Sequence, residues 1–142
     1  MTARFLTPLI LEDHGGLPFV LHAPLSYVTA ADELITVPAR FATDLASIPR
    51  PLWAVLPPVG KYDRAGVLHD HAYQTGAING RVITRHDADA LMLEAMTVLR
   101  VGRVARYAIW TALRVAGGIV WRRYRAASTN GAVVGSRTAP LE

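Results

Sequence analysis

The chain has 142 residues, the usual length of one domain, and its apolar fraction of 51% excludes a disordered polypeptide. It has no cysteine, which excludes disulfide bonds, a thiol nucleophile and zinc or iron–sulfur sites with Cys ligands. The net charge is +4, and the eight arginines from Arg100 to Arg137 have no acidic residue among them. A basic C-terminal third therefore follows a nearly neutral body.

The first third of the chain is typical of β-structure. Three runs rich in β-branched and aromatic residues extend from Phe5 to Leu11, from Phe19 to Val28 and from Leu34 to Val37. Turn-forming residues separate them at Gly15-Gly16 and from Ala30 to Glu33. We expect a small N-terminal antiparallel β-sheet.

A proline-rich segment covers residues 38–60 and excludes long regular structure there. Its apolar content favours an ordered loop, and it carries three polar side chains, Thr43, Asp44 and Ser47. A carboxylate such as Asp44 in a rigid apolar loop must be paired, hydrogen-bonded or metal-bound. The alternative is that Asp44 and Ser47 cap the backbone of the loop itself.

Three helices are predicted to follow, from about Lys61 to Gln74, from about His86 to Arg100 and from about Val104 to Tyr124. The second has a clear apolar stripe, and the third is weakened at Gly117-Gly118. We expect residues 1–127 to form a single α+β domain, with a sheet, an ordered loop and three helices. Residues 128–142 are predicted to be a flexible C-terminal tail.

The first predicted helix contains the string Leu68-His-Asp-His-Ala-Tyr73. His69 and Tyr73 are four residues apart and share a face, whereas His71 points elsewhere. His69 is a candidate general base, Asp70 a cation ligand or an orienting carboxylate, and Tyr73 and Ser47 candidate positioning groups in the catalytic site. The alternative is that His69 is a core residue bonded to Asp44 or Asp89.

On the second predicted helix, Asp89 borders the apolar stripe and is expected to point inward. It is a candidate partner for His69 or Arg64. Asp87 and Glu94 are predicted to be ordinary charges on the outer face.

Three carboxylates, Asp44, Asp70 and Asp89, are candidate ligands for a metal ion. Carboxylates with a histidine suit an oxygen-loving or borderline divalent cation, whose identity the spacing does not indicate. Convergence of the three depends on how the helices pack.

Arginines punctuate the third predicted helix, which also carries Tyr107, Trp110, Trp121 and Tyr124. Such a helix would bind phosphates or lipid headgroups, or it would pack on the body with its arginine heads in water. Its central Arg114 and short apolar stretch exclude a membrane-spanning helix.

Two motifs carry a resemblance to a known family. They are Thr43-Asp-Leu-Ala-Ser-Ile-Pro49 and His69-Asp-His-Ala-Tyr73, followed by the helix that contains Asp89. With these residues, the chain resembles the phage-associated family called domain of unknown function 1353, over about residues 3–118. The resemblance implies a phage or prophage origin. It also implies that the signature positions are Thr43, Asp44, Ser47, His69, Asp70, Tyr73 and Asp89.

The leading hypothesis is a small phage-encoded hydrolase, dependent on a divalent cation, that acts on the host envelope. The alternative is a phage structural or assembly protein without chemistry, in which the His/Asp cluster is a buried hydrogen-bond network. Its partners would be other phage proteins or the envelope, with nucleic-acid binding through the basic helix as a further alternative. The expected location is the host cytoplasm or the phage particle.

Overall fold

The computed structural model describes residues 2–16, 18–44 and 61–135. Within them it shows small antiparallel sheets near the N-terminus followed by three helices, which confirms the predicted α+β class. Most of the proline-rich segment, including Ser47, lies outside the described residues.

Six short strands form two sheets rather than the single sheet expected. Strands β1, β4 and β5 form one sheet and β2, β3 and β6 the other, all with antiparallel pairing. The strands are β1 (Arg4–Phe5), β2 (Leu11–Glu12), β3 (Phe19–Leu21), β4 (Leu25–Val28), β5 (Leu34–Val37) and β6 (Ala42–Thr43).

Prolines explain why two of the predicted strands are divided. Pro8 falls between β1 and β2, and Pro24 falls between β3 and β4. A proline has no N–H to give to a β-ladder, so the chain leaves one sheet there and enters the other. The first part of the predicted loop also differs, because Ala42–Thr43 pairs with β3 as strand β6.

The longest strand pair, β4–β5, alternates between core and solvent. Tyr27 is opposite Ile35 and Leu25 is opposite Val37, and all four side chains are buried. This period of two is expected for a sheet that covers a core with one face. The Tyr27 hydroxyl also donates to Glu94 Oε1 at 2.7 Å, which joins the sheet to the second helix.

The helices are α1 (Asp63–Thr75), α2 (Arg85–Val98) and α3 (Arg103–Gly135), and a hairpin of β7 (Ala77–Ile78) and β8 (Arg81–Val82) joins α1 to α2. Gly76 ends α1 in the left-handed conformation, with φ of 62°. The hairpin turn is Asn79-Gly80, with φ of 50° and 77°, as a two-residue turn of this type requires.

The predicted apolar stripe of α2 is confirmed. Its buried apolar residues join strand and helix side chains in one core; they are Ala88, Leu91, Met92, Ala95 and Met96. Thr84 caps α2 and forms a reciprocal capping box with Asp87. Asp87 is exposed, as predicted, but it also stabilises the start of the helix.

Helix α3 continues to Gly135, beyond the predicted end at Tyr124. It passes through Gly117-Gly118 without a break because this part of the helix packs on the rest of the molecule, with Gly117 buried. The segment predicted to be a tail therefore begins as helix. In the described part of the chain, no helix is long and apolar enough to cross a membrane.

Candidate functional site

A pocket of about 160 Å³ lies between α1 and α3. One side carries the polar residues Asp44, His69, Asp70 and Tyr73. The other side is mainly apolar and comes from α3; its lining residues are Ala112, Leu113, Ala116, Gly117, Val120 and Tyr124. The structure thus brings four of the sequence-predicted site residues around one cavity.

Asp89 lies behind the pocket and is fully buried. Its Oδ1 accepts from the Tyr73 hydroxyl at 2.7 Å and lies 2.9 Å from His69 Nε2. Its Oδ2 accepts a hydrogen bond from Arg114 Nη1 at 2.7 Å and forms an ion pair with Arg85 Nη1, which lies 3.6 Å away. Burial opposes ionisation, but the hydrogen bonds from His69, Tyr73 and Arg114 outweigh it and lower the pKa of Asp89.

His69 joins the pocket to this buried carboxylate. Its side chain is 3% exposed, lines the pocket and packs against the Tyr73 ring with the centroids 4.1 Å apart. Since an ionised carboxylate only accepts, Nε2 carries the proton that is donated to Asp89. In the neutral ring, Nδ1 is then the basic nitrogen.

Tyr73 supports the same carboxylate from α1. Burial, followed by the hydrogen bond to Asp89, raises the pKa of the Tyr73 phenol, so the group stays protonated and remains a donor. The ring of Trp121 meets the Tyr73 ring edge-on, with centroids 5.2 Å apart. Tyr73 is therefore a positioning residue for Asp89 and His69.

A second carboxylate, Asp70, connects α1 to strand β6. Its Oδ2 accepts from Thr43 Oγ1 at 2.5 Å and from the backbone N–H of Asp44 at 3.1 Å. Thr43 is buried, and Asp70 also lines the pocket. Burial raises the pKa of Tyr124 on the opposite wall, and the negative charges of Asp70 and Asp44 raise it further.

The predicted metal ligands do not form a ligand cluster. Among residues 2–16, 18–44 and 61–135, no group of three or more His, Asp or Glu side chains is arranged to hold a metal ion. Asp89 instead faces the guanidinium groups of Arg114 and Arg85. Asp44 and Asp70 remain together at the pocket.

Several partners differ from those expected. Asp89 pairs with His69 as predicted, but Arg64 lies over the Phe5 ring, 5.7 Å from its centroid. Glu94 accepts from Tyr27 and from the Ala30 N–H, so the prediction of an ordinary surface charge was wrong.

Sequence reasoning missed the arginines that complete the site. Arg114 and Arg85 neutralise Asp89, and Arg125 Nη2 donates to the carbonyls of Tyr73 and Gln74 at the end of α1. Arg114 was the available signal in the sequence, because a charged residue within an apolar helical stretch is expected to be partly buried and then needs a counter-charge.

His71 lies outside this site, as its helical position predicted. Its ring makes an edge contact with Phe41, with centroids 5.2 Å apart, and burial lowers its pKa. It therefore provides a matched control for His69 on the same helix.

Comparison with known proteins gives a family match. A search of curated proteins and a search of solved structures found nothing that matches. The family model described as "Protein of unknown function (DUF1353)" matches residues 19–113, which include every described signature position, and the chain belongs to this family.

Proposed function

We propose that the chain is a small hydrolase in which His69 acts as the general base. The observation that supports this is the position of His69, which lines a cavity while its Nε2 is held by the buried Asp89. A carboxylate behind an imidazole fixes the tautomer and stabilises the imidazolium that forms when the base takes a proton. Tyr73 and Arg114 keep that carboxylate in place.

In this proposal the two sides of the cavity have different tasks. The apolar α3 wall would contact a nonpolar part of the substrate, and Asp44 and Asp70 would accept hydrogen bonds from its hydroxyl, amide or amine groups. Ser47, outside the described residues, stays a predicted positioning group. The resemblance to phage-associated proteins makes polymers of a bacterial envelope the substrate class that we propose.

The test uses the purified chain with bacterial peptidoglycan sacculi and with p-nitrophenyl butyrate as an ester reporter. We expect release of soluble fragments or nitrophenol, and a loss of about 10²-fold or more in His69→Gln. His71→Gln is the control and should keep the wild-type rate. Equal rates in wild type and His69→Gln, or no turnover of either probe, would overturn the proposal.

The same assay tests the predicted cation. Activity lost with EDTA and restored by one of calcium, magnesium, manganese or zinc would support a metal-dependent reaction. Activity unchanged by EDTA would leave His69 and Asp89 as the catalytic pair and would reject the metal.

A second candidate is a phage structural or assembly protein without chemistry. It is favoured by one observation, the contacts of fully buried Asp89 with His69 on α1, Arg85 on its own helix α2 and Arg114 on α3. Such a network serves to lock helices together. It predicts that His69→Gln destabilises the fold strongly and that neither probe is hydrolysed.

A further inference from the structure

The outward face of α3 carries a row of exposed apolar side chains, here called the outer stripe: Val104, Tyr107, Val115 and Ile119. Val104 is 84% exposed, Val115 82%, Ile119 58% and Tyr107 48%. Their spacing of about one helical turn, or a multiple of it, places them on one face, opposite the buried Ile109 and Leu113. In the described part of the chain, nothing covers this row.

Arginines lie at both ends of the outer stripe. Arg100 and Arg103 precede it, and Arg122 and Arg123 follow it; all four are exposed. None of the four pairs with a carboxylate within the described residues, and α3 contains no acidic residue. A partner that fits this face would offer negative charge at both ends and apolar contact between them.

We propose that the outer stripe lies flat on an anionic lipid surface. From Val104 to Arg123 the helix extends roughly 30 Å at about 1.5 Å per residue. A leaflet that contains acidic lipids supplies phosphate charge along this whole distance and accepts aliphatic side chains at the headgroup boundary. Tyr107, the aromatic member of the stripe, suits the same boundary because its ring is apolar and its hydroxyl is polar.

A second copy of the chain fits this face less well. Two α3 helices packed through their outer stripes would bring arginines against arginines in either orientation, since α3 has six of them and no acid. Like charges across such a seam are repulsive. Lipid contact also does not depend on the proposed hydrolase activity, because the pocket lies against the opposite face of α3.

The test is co-sedimentation of the full chain with vesicles of phosphatidylglycerol and phosphatidylcholine in equal amounts, beside vesicles of phosphatidylcholine alone. We expect binding to the anionic vesicles at about 50 mM salt, at least about tenfold weaker binding to the neutral ones, and a decline with added salt. Val115→Asp should reduce the anionic binding about tenfold or more. The double variant Arg122→Gln/Arg123→Gln should also reduce it about tenfold or more.

Val82→Asp is the matched control for Val115→Asp, because Val82 is 84% exposed, close to the 82% of Val115, and lies on strand β8, away from the outer stripe. It should bind the vesicles as wild type does. The proposal is overturned by failure to bind anionic vesicles, or by Val115→Asp and Val82→Asp behaving alike. Dimerisation that Val115→Asp abolishes, without vesicle binding, would also overturn it and assign the face to a second copy.

Discussion

His69 Nε2 lies 2.9 Å from Asp89 Oδ1, although the two residues are on different helices and both are buried. Asp89 is ionised in this setting because Arg114 and Tyr73 donate to it as well. The pair therefore holds α1 to α2, and Arg114, which also contacts Asp89, joins α3 to both helices. The same contact that orders the imidazole at the pocket also stabilises the helices.

Removal of the buried carboxylate should be costly. We expect Asp89→Ala to lower the free energy of unfolding by about 3–5 kcal/mol, because Arg114 and His69 lose their buried acceptor. Urea unfolding followed by circular dichroism measures the change. Asp32→Asn is the control, since Asp32 is exposed in a turn, and it should stay within about 0.5 kcal/mol. A loss below about 1 kcal/mol for Asp89→Ala would contradict the network.

The contact between β6 and α1 gives a second prediction. Thr43→Val keeps the side-chain shape but removes the hydroxyl that donates to Asp70 Oδ2. We expect a loss of about 1.5–3 kcal/mol, because the acceptor is charged and the donor is buried. Thr36→Val, which removes an exposed hydroxyl 3.1 Å from Ser26 Oγ, should cost less than about 0.5 kcal/mol. Equal effects of the two substitutions would contradict this role of Thr43.

The fold class and the order of elements were predictable because each helix has strong local signals. Two details were present in the sequence but were missed. Pro8 and Pro24 divide the strands, and Asn79-Gly80 forms the turn of a hairpin between the first two helices, for which no strand was predicted. The end of α3 was misjudged because the residues after Ala126 are rich in Ser, Thr, Asn and Gly, which favour loops, whereas the helix continues to Gly135.

The site was predictable in its polar residues but not in their partners. Helical spacing indicated that His69 and Tyr73 share a face, and Asp89 was expected to point inward. Which arginine contacts Asp89 depends on how α3 crosses α2. This crossing is set by tertiary packing, which the spacing of residues within one helix does not encode. For the same reason Asp89 contacts Arg114 rather than Asp44 and Asp70, the other two predicted metal ligands, which line the pocket.

His71 should make stability depend on pH. Burial against Phe41 lowers its pKa below the ordinary value of about 6.5, so the unfolded chain binds the proton more readily than the folded one. Its contribution to stability is complete above about pH 6.5 and declines as the pH falls towards the lowered pKa of the folded state. Thermal melts from about pH 7.5 to about pH 5 should show a smaller decline in His71→Phe than in wild type. Identical pH profiles would contradict the assignment.

The two adjacent glycines of α3 should respond differently to the same substitution. A Cβ at Gly117 would lie 2.6 Å from the Tyr73 hydroxyl oxygen, whereas at Gly118 its nearest neighbour is Arg122 Nη2 at 3.7 Å. We expect Gly117→Ala to destabilise the protein by about 1–3 kcal/mol, because either Tyr73 or α3 must move. Gly118→Ala should be neutral or stabilise by up to about 1 kcal/mol, since alanine is the better helix former.

Tyr73→Phe completes this test as a double-mutant cycle. It removes the oxygen that a Cβ at Gly117 would strike, so Gly117→Ala should cost less in the Tyr73→Phe background than in the wild type. The unfolding free energies of the wild type, the two single variants and the double variant give the coupling energy between residues 73 and 117. The hydrolysis assay proposed for His69 shows whether Gly117→Ala also changes the pocket that Gly117 lines. If Gly117→Ala and Gly118→Ala are equally stable, the close approach of α3 to Tyr73 does not limit residue size there.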